Sequence, residues 1–137
     1  MIGLDTNVLV RYLAQDDAEQ SALATRLIEQ DLSASRPGFI SLVVLVELCW
    51  VLKRLYAATD AELLATVTDV LDAAAFRVEQ RGVVQAALAQ LAQATAGKAG
   101  FADALIAALA SHHGCTQTVT FDRGAVKAAG MTLLATA

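Results

Sequence analysis

The sequence predicts an alternating α/β chain, a three-layer sandwich with a short, mostly parallel central sheet flanked by helices. Three observations carry this. Short apolar runs of strand length recur between longer stretches of helical periodicity. Capping residues and glycines mark the junctions between them. Of the 137 residues, 56% are hydrophobic and only 18% charged, enough to cover a sheet with packed helices. No internal repeat, linker or low-complexity tail interrupts the pattern, so residues 1–137 read as one domain.

Residues 1–4 are an apolar run suited to a buried strand. Asp5 or Thr6 caps the next helix, expected over residues 8–13. Asp16 and Asp17 open a second helix to about residue 31, with acids in its first turn as the helix dipole favours. Residues 33–38 hold the only proline and form a loop, followed by a strand at 39–40. Ser41 caps a long helix running to residue 56. Thr59 or Asp60 caps a fourth helix ending near residue 74, and Thr59 and Glu62 have capping-box spacing.

Residues 76–79 alternate in polarity as a strand does. A fifth helix is expected over 83–95, a break over 97–100, and a sixth helix over 101–113, ended by Gly114. A strand at 118–121, a short helix at 123–129, Gly130 and a last strand at 131–134 complete the order.

Composition narrows the function classes. No run of about 18 apolar residues is present, which argues against a membrane span. The longest apolar stretch, residues 42–52, is broken by Glu47. No secretion signal is apparent at the start, and Cys49 and Cys115 fit no metal-ligand spacing. Both read as reduced, buried thiols of a cytoplasmic protein. The formal net charge of −4 opposes phosphate-backbone binding by the whole surface, so a nucleic-acid role needs a local basic rim. Arg11, Lys98 and Arg123 are the candidates for such a rim, and each also reads as ordinary surface charge.

The chemistry lies in four acids set among apolar residues. Asp5 and Asp122 each end an apolar strand, and ligands of parallel sheets bind beyond the carboxyl ends of strands. Glu47 is the only charged residue between Ser41 and Leu52, with Val43, Val44, Trp50 and Val51 as helical neighbours, so it is expected on a buried apolar face at an energetic cost if left alone. Asp103 sits beside Ile106 and Ala107 on its helix. Each acid has an ordinary structural role open to it. Asp5 and Asp122 can cap helices, Asp103 can favour a helix start, and Glu47 can pair with Lys53 or Arg54. Together they ask for more, because clustered carboxylates resist ionising unless a cation balances them. Mg²⁺ or Mn²⁺ prefers such oxygen ligands and activates water for attack on phosphorus. Thr6, Asn7 and Thr120 are small polar groups able to orient the carboxylates, or simply to cap and turn the chain. His112 and His113 lie at a helix C-terminus, where such residues are commonly placed without any catalytic role.

At these residues the chain resembles the PIN-domain ribonucleases, specifically the VapC-type toxins of VapBC toxin–antitoxin pairs. The resemblance runs through "LDTNVLVRYL" at residues 4–13, "SLVVLVELCWVL" at 41–52 and "FADALIAALASHHGCTQTVTFDRGAVKAAGMTLL" at 101–134. It implies a PIN-like fold and a metal-binding, catalytic quartet of Asp5, Glu47, Asp103 and Asp122, of which Asp122 is the more variable position. It implies support from Thr6 and Thr120, and metal-dependent cleavage of single-stranded or looped RNA such as transfer or ribosomal RNA. It also implies a VapB-type antitoxin and a homodimer as partners. Two rivals stand beside it. One is a non-catalytic PIN-like interaction module. The other is a metal-dependent phosphatase, which would need an acid where this chain has Asn7.

Overall fold

The computed structural model describes residues 1–93 and 100–135. They divide into two compact units, Met1–Glu79 and Gln80–Ala137. Lys98, with residues 97–99 of the expected break and residues 94–95 of the expected fifth helix, lies outside the described residues.

In the first unit, β1 (Ile2–Gly3) leads into α1 (Thr6–Ala14). Then α2 (Ala18–Arg26) ends in a π-helical turn, Leu27–Asp31, where the Leu32 N–H donates five residues back to the Leu27 carbonyl. β2 (Gly38–Ile40), α3 (Leu42–Leu55), α4 (Asp60–Asp72) and β3 (Phe76–Val78) follow. The three strands form a parallel sheet in the order β1-β2-β3, with Ile2 opposite Gly38 and Gly38 opposite Phe76. Parallel neighbours need a crossover, and the intervening helices supply it.

The junctions follow capping chemistry. Ser41 Oγ accepts the Val44 N–H at 3.1 Å and starts α3. Thr59 and Glu62 form the full capping box that starts α4. Asp17, not Asp16, caps α2 by accepting the Gln20 N–H at 2.8 Å. Leu9, Ile40, Leu45, Leu48 and Val67 are wholly buried in this unit. Burial of each such side chain contributes about 1.5–3 kcal/mol. Gly38 sits in the middle strand, where a Cβ would meet Leu4 Cδ1 at 2.6 Å and Leu32 Cδ1 at 2.9 Å, so a larger residue would push these leucine side chains aside.

In the second unit, α5 (Arg81–Gln93) packs on α6 (Phe101–His112). β4 (Val119–Thr120), α7 (Arg123–Ala129) and β5 (Thr132–Leu133) complete it. β4 and β5 are parallel, with Val119 opposite Thr132. Ala125, Ala128, Ala129 and Met131 form a buried cluster with Ala107 against it, so alanine lets these helices approach closely. Gly130 ends α7 at φ +69°, the left-handed conformation that glycine adopts without steric cost.

The parallel α/β class expected from the sequence is therefore present, with seven α-helices among the described residues. Among the described residues the strands pair as a three-stranded parallel sheet in the first unit and a two-stranded parallel pair in the second. β1, β4 and β5 have only two residues each, which leaves few ladder bonds to extend either sheet. Among the described residues, no helix is long and apolar enough to cross a membrane.

Candidate metal centre

In the first unit, Asp5 joins the end of β1 to the start of α1. Its Oδ1 accepts the Thr6 N–H at 2.9 Å, so the capping role is real. The residue is exposed, at the carboxyl end of a parallel strand. Beside it, Thr6 is only 3% exposed, and its Oγ1 has no hydrogen-bond partner among the described residues. A buried hydroxyl in that state normally costs about 1–3 kcal/mol, and a water or ion at this helix start would satisfy it. Ser21 Oγ on α2 is in the same state.

Glu47 corrects the sequence reading. It was expected on a buried apolar face, at an energetic cost if left alone. It is exposed, and its helical neighbours Val43 and Trp50 are 77% and 59% exposed. The buried face of α3 is the other one, made of Leu45, Leu48, Cys49 and Leu52. The helix is apolar on both sides, so composition alone did not reveal which side is inside.

Asn7 is exposed and, with Val8, Arg11, Gln20, Leu23 and Leu27, lines a cleft of about 480 Å³ along α1 and α2. The Arg11 guanidinium is already engaged. It donates to Asp16 at 3.1 Å and to Gln20 at 2.7 Å, and contacts the Tyr56 hydroxyl, which itself donates to Asp16. That hydrogen bond from Tyr56 is the main reason the Asp16 carboxyl is held below the ordinary range, with Arg11 assisting. Sequence reasoning missed this network. Tyr56 lies forty residues beyond Asp16 and no local signal links them.

In the second unit, Asp103 lies in the first turn of α6 and is half-buried. Burial raises its pKa, and the negative charge of Asp122 raises it further. Asp122 caps α7, with Oδ1 accepting the Gly124 N–H at 2.8 Å. Its own backbone N–H donates to Thr120 Oγ1 at 3.0 Å, a local bond that ties the end of β4 to the start of α7. Arg123 is exposed next to this cap.

Each unit thus holds two of the four predicted acids. In the second, the charge of Asp122 adds to burial in raising the pKa of Asp103. Within neither unit do three or more His, Cys, Asp or Glu side chains gather, among the described residues. By donor type, the Asp103 and Asp122 carboxylates suit a hard divalent ion, and Mg²⁺ commonly binds one or two carboxylates while keeping waters.

His112 and His113 are exposed, with their rings edge to face at 5.4 Å. Cys49 is a buried thiol whose pKa is pushed up to about 12 by desolvation, which makes it inert as a nucleophile. Cys115 corrects expectation. It is exposed, one residue beyond Gly114, whose φ of +87° lies in the left-handed region.

A family model described as the PIN domain matches residues 2–131, covering nearly all of both units. The chain belongs to the PIN-domain family. It therefore has a nuclease-type fold, and the domains of this family are generally metal-dependent nucleases that act on nucleic acid. No curated protein matches the chain.

Proposed function

We propose that this chain is a divalent-metal-dependent endoribonuclease and the toxin of a VapBC-type pair, with residues 1–137 acting as a single domain. The observation that carries the proposal is the like-charge pair of Asp103 and Asp122 at the start of α6 and the cap of α7. A half-buried acid next to a second acid is costly unless a cation balances both.

On this reading Asp5, Glu47, Asp103 and Asp122 hold Mg²⁺ or Mn²⁺. The ion, when bound, activates water and neutralises charge on a phosphoryl oxygen. The chain's own residues do the positioning. Thr120 fixes the backbone of Asp122, the Thr6 N–H fixes one oxygen of Asp5, and the unpartnered Thr6 hydroxyl offers a hydrogen bond to an ion-bound water. Asn7 lies one residue further on, able to orient a phosphate or a water.

RNA is the expected substrate despite the net negative charge. Arg123 adjoins Asp122 and Lys98 precedes Asp103 in the sequence, while Arg11 lines the α1–α2 cleft and would have to exchange its tie to Asp16 for a phosphate. The apolar floor of that cleft, Val8, Leu23 and Leu27, suits an amphipathic helix of an antitoxin. An antitoxin arginine would suit the carboxylates. The homodimer and a cytoplasmic location belong to the same proposal.

The test is RNA cleavage by the purified, antitoxin-free chain. Cleavage is expected with Mg²⁺ or Mn²⁺ and is lost in EDTA. Full cleavage in EDTA by metal-free protein would overturn the mechanism. Tight metal binding with no cleavage of any RNA would favour an interaction module instead.

A further inference from the structure

In the second unit, Phe121 leaves its ring bare, at 80% exposure, between the end of β4 and Asp122. Residues two apart on a strand face the same side, so the exposed Val119 shares its face. The pairing sets Val119 opposite Thr132 and Thr120 opposite Leu133. The next step of that register brings the exposed Leu134 beside Phe121. These three residues form an apolar shelf at the carboxyl end of β4. The backbone under the ring is tied on both sides. The Thr120 carbonyl accepts the Leu134 N–H at 2.7 Å, Thr120 Oγ1 accepts the Asp122 N–H at 3.0 Å, and Asp122 Oδ1 accepts the Gly124 N–H at 2.8 Å. The ring is thus carried on an ordered segment.

We infer that Phe121 is a stacking platform for one unpaired base of an RNA substrate, beside the phosphate held at Asp103 and Asp122. The inference rests on the reading of those acids as a metal centre and adds the residue that selects the form of the substrate. The neighbours choose the occupant. Asp122, the next residue, is one of the like-charge pair. Arg123, the one after, is exposed and can bond a phosphate. Residues 121–123 span at most roughly 7 Å of chain. A flat apolar face, an acid suited to a metal-bridged phosphate and a cation therefore stand together, and a nucleotide needs all three. An apolar protein segment would use the shelf alone and leave the acids and the arginine idle.

Stacking has a definite consequence for the choice of substrate. Every base offers a π-face, so a platform of this kind tolerates any sequence. Bases inside a duplex are already stacked on their neighbours, whereas those of loops and single strands are free to settle on a protein ring. Phe121 therefore favours loops and single strands. Val119 and Leu134 widen the apolar floor beside the ring. The phenyl group carries no proton and binds no metal, so it positions the strand and takes no part in breaking the bond.

The test is binding of a short, fluorescein-labelled single-stranded RNA by the full chain. It is made in Ca²⁺, which fills carboxylate sites with looser geometry than Mg²⁺, and the RNA is verified intact after each titration. Phe121→Ala should weaken binding at least about fivefold. Phe121→Leu should weaken it as much, and Phe121→Trp should keep wild-type affinity, because the flat ring and not apolar bulk makes the contact. On a ribose-phosphate strand of equal length without bases, wild type and all three variants should bind alike. Circular dichroism verifies that each variant folds. Binding left unchanged by Phe121→Ala would overturn the inference. So would rescue by leucine, an alanine deficit that persists on the baseless strand, or a folded wild type that binds no RNA. Mg²⁺-dependent cleavage by a chain that fails these tests leaves the nuclease reading standing. A chain that passes them without cleaving RNA leaves the platform standing.

Discussion

Asp122 lies close enough to Asp103 for its negative charge to raise the pKa of the Asp103 carboxyl, on top of a larger rise from burial. Removing the neighbour's charge should therefore lower the pKa of Asp103 only in part. Asp122→Asn is expected to bring it down while leaving it above the ordinary carboxylate range, because burial remains. Carboxyl-detected NMR titration of Asp103 in metal-free buffer reads this directly. An unchanged value in the variant would remove the electrostatic coupling.

The same shift makes stability depend on pH. A carboxyl whose folded pKa is raised destabilises the fold when ionised. The penalty is absent below the unfolded value and grows as pH rises through the folded one. Asp103→Asn in chelator should therefore gain stability over wild type at neutral pH, and lose that advantage as the solution becomes acidic. Thermal unfolding at both pH values checks it, and an advantage that persists in acid would contradict the account.

Thr6 separates metal binding from folding. Its buried hydroxyl lacks a partner among the described residues, so Thr6→Val should leave metal-free stability unchanged or slightly raised. If the hydroxyl instead orients a ligand or its water, metal affinity should fall about 10–100-fold. Calorimetric Mn²⁺ titration together with urea unfolding distinguishes these outcomes. Equal metal affinity in wild type and variant would leave Thr6 without the supporting role.

The capping box of α4 should be visible in stability. Thr59→Ala removes the acceptor of the Glu62 N–H and is expected to cost about 1 kcal/mol. Glu62 is held below its ordinary pKa chiefly by its hydrogen bond from the Thr59 backbone. Its contribution is thus present above the unfolded value and lost as pH falls through the lowered folded one. Urea denaturation of wild type and variant at neutral and acidic pH measures both effects.

Helix order was readable in the sequence because capping chemistry is local. Ser41, Thr59 and Gly130 carry their own signals, and each ends or begins a helix where expected. Asp5 and Asp122 were readable as well, since a strand end followed by a cap needs only neighbouring residues. Burial was not readable where a helix is apolar all round. Glu47 was placed inside because Val43 and Trp50 flank it, yet these three share the outer face. Strand pairing was not readable either, because two-residue strands such as β4 and β5 leave almost no periodicity. The tie from Arg11 to Asp16 and Tyr56 depends on where separate helices end, which only the fold decides.

The most direct measurement is cleavage of a panel of structured RNAs in Mg²⁺ by wild type and by Asp5→Asn, with folding of the variant verified by circular dichroism. A divalent ion held by these acids predicts a loss of at least about 100-fold in the variant, with native secondary structure retained. Equal cleavage by a folded Asp5→Asn protein would contradict it.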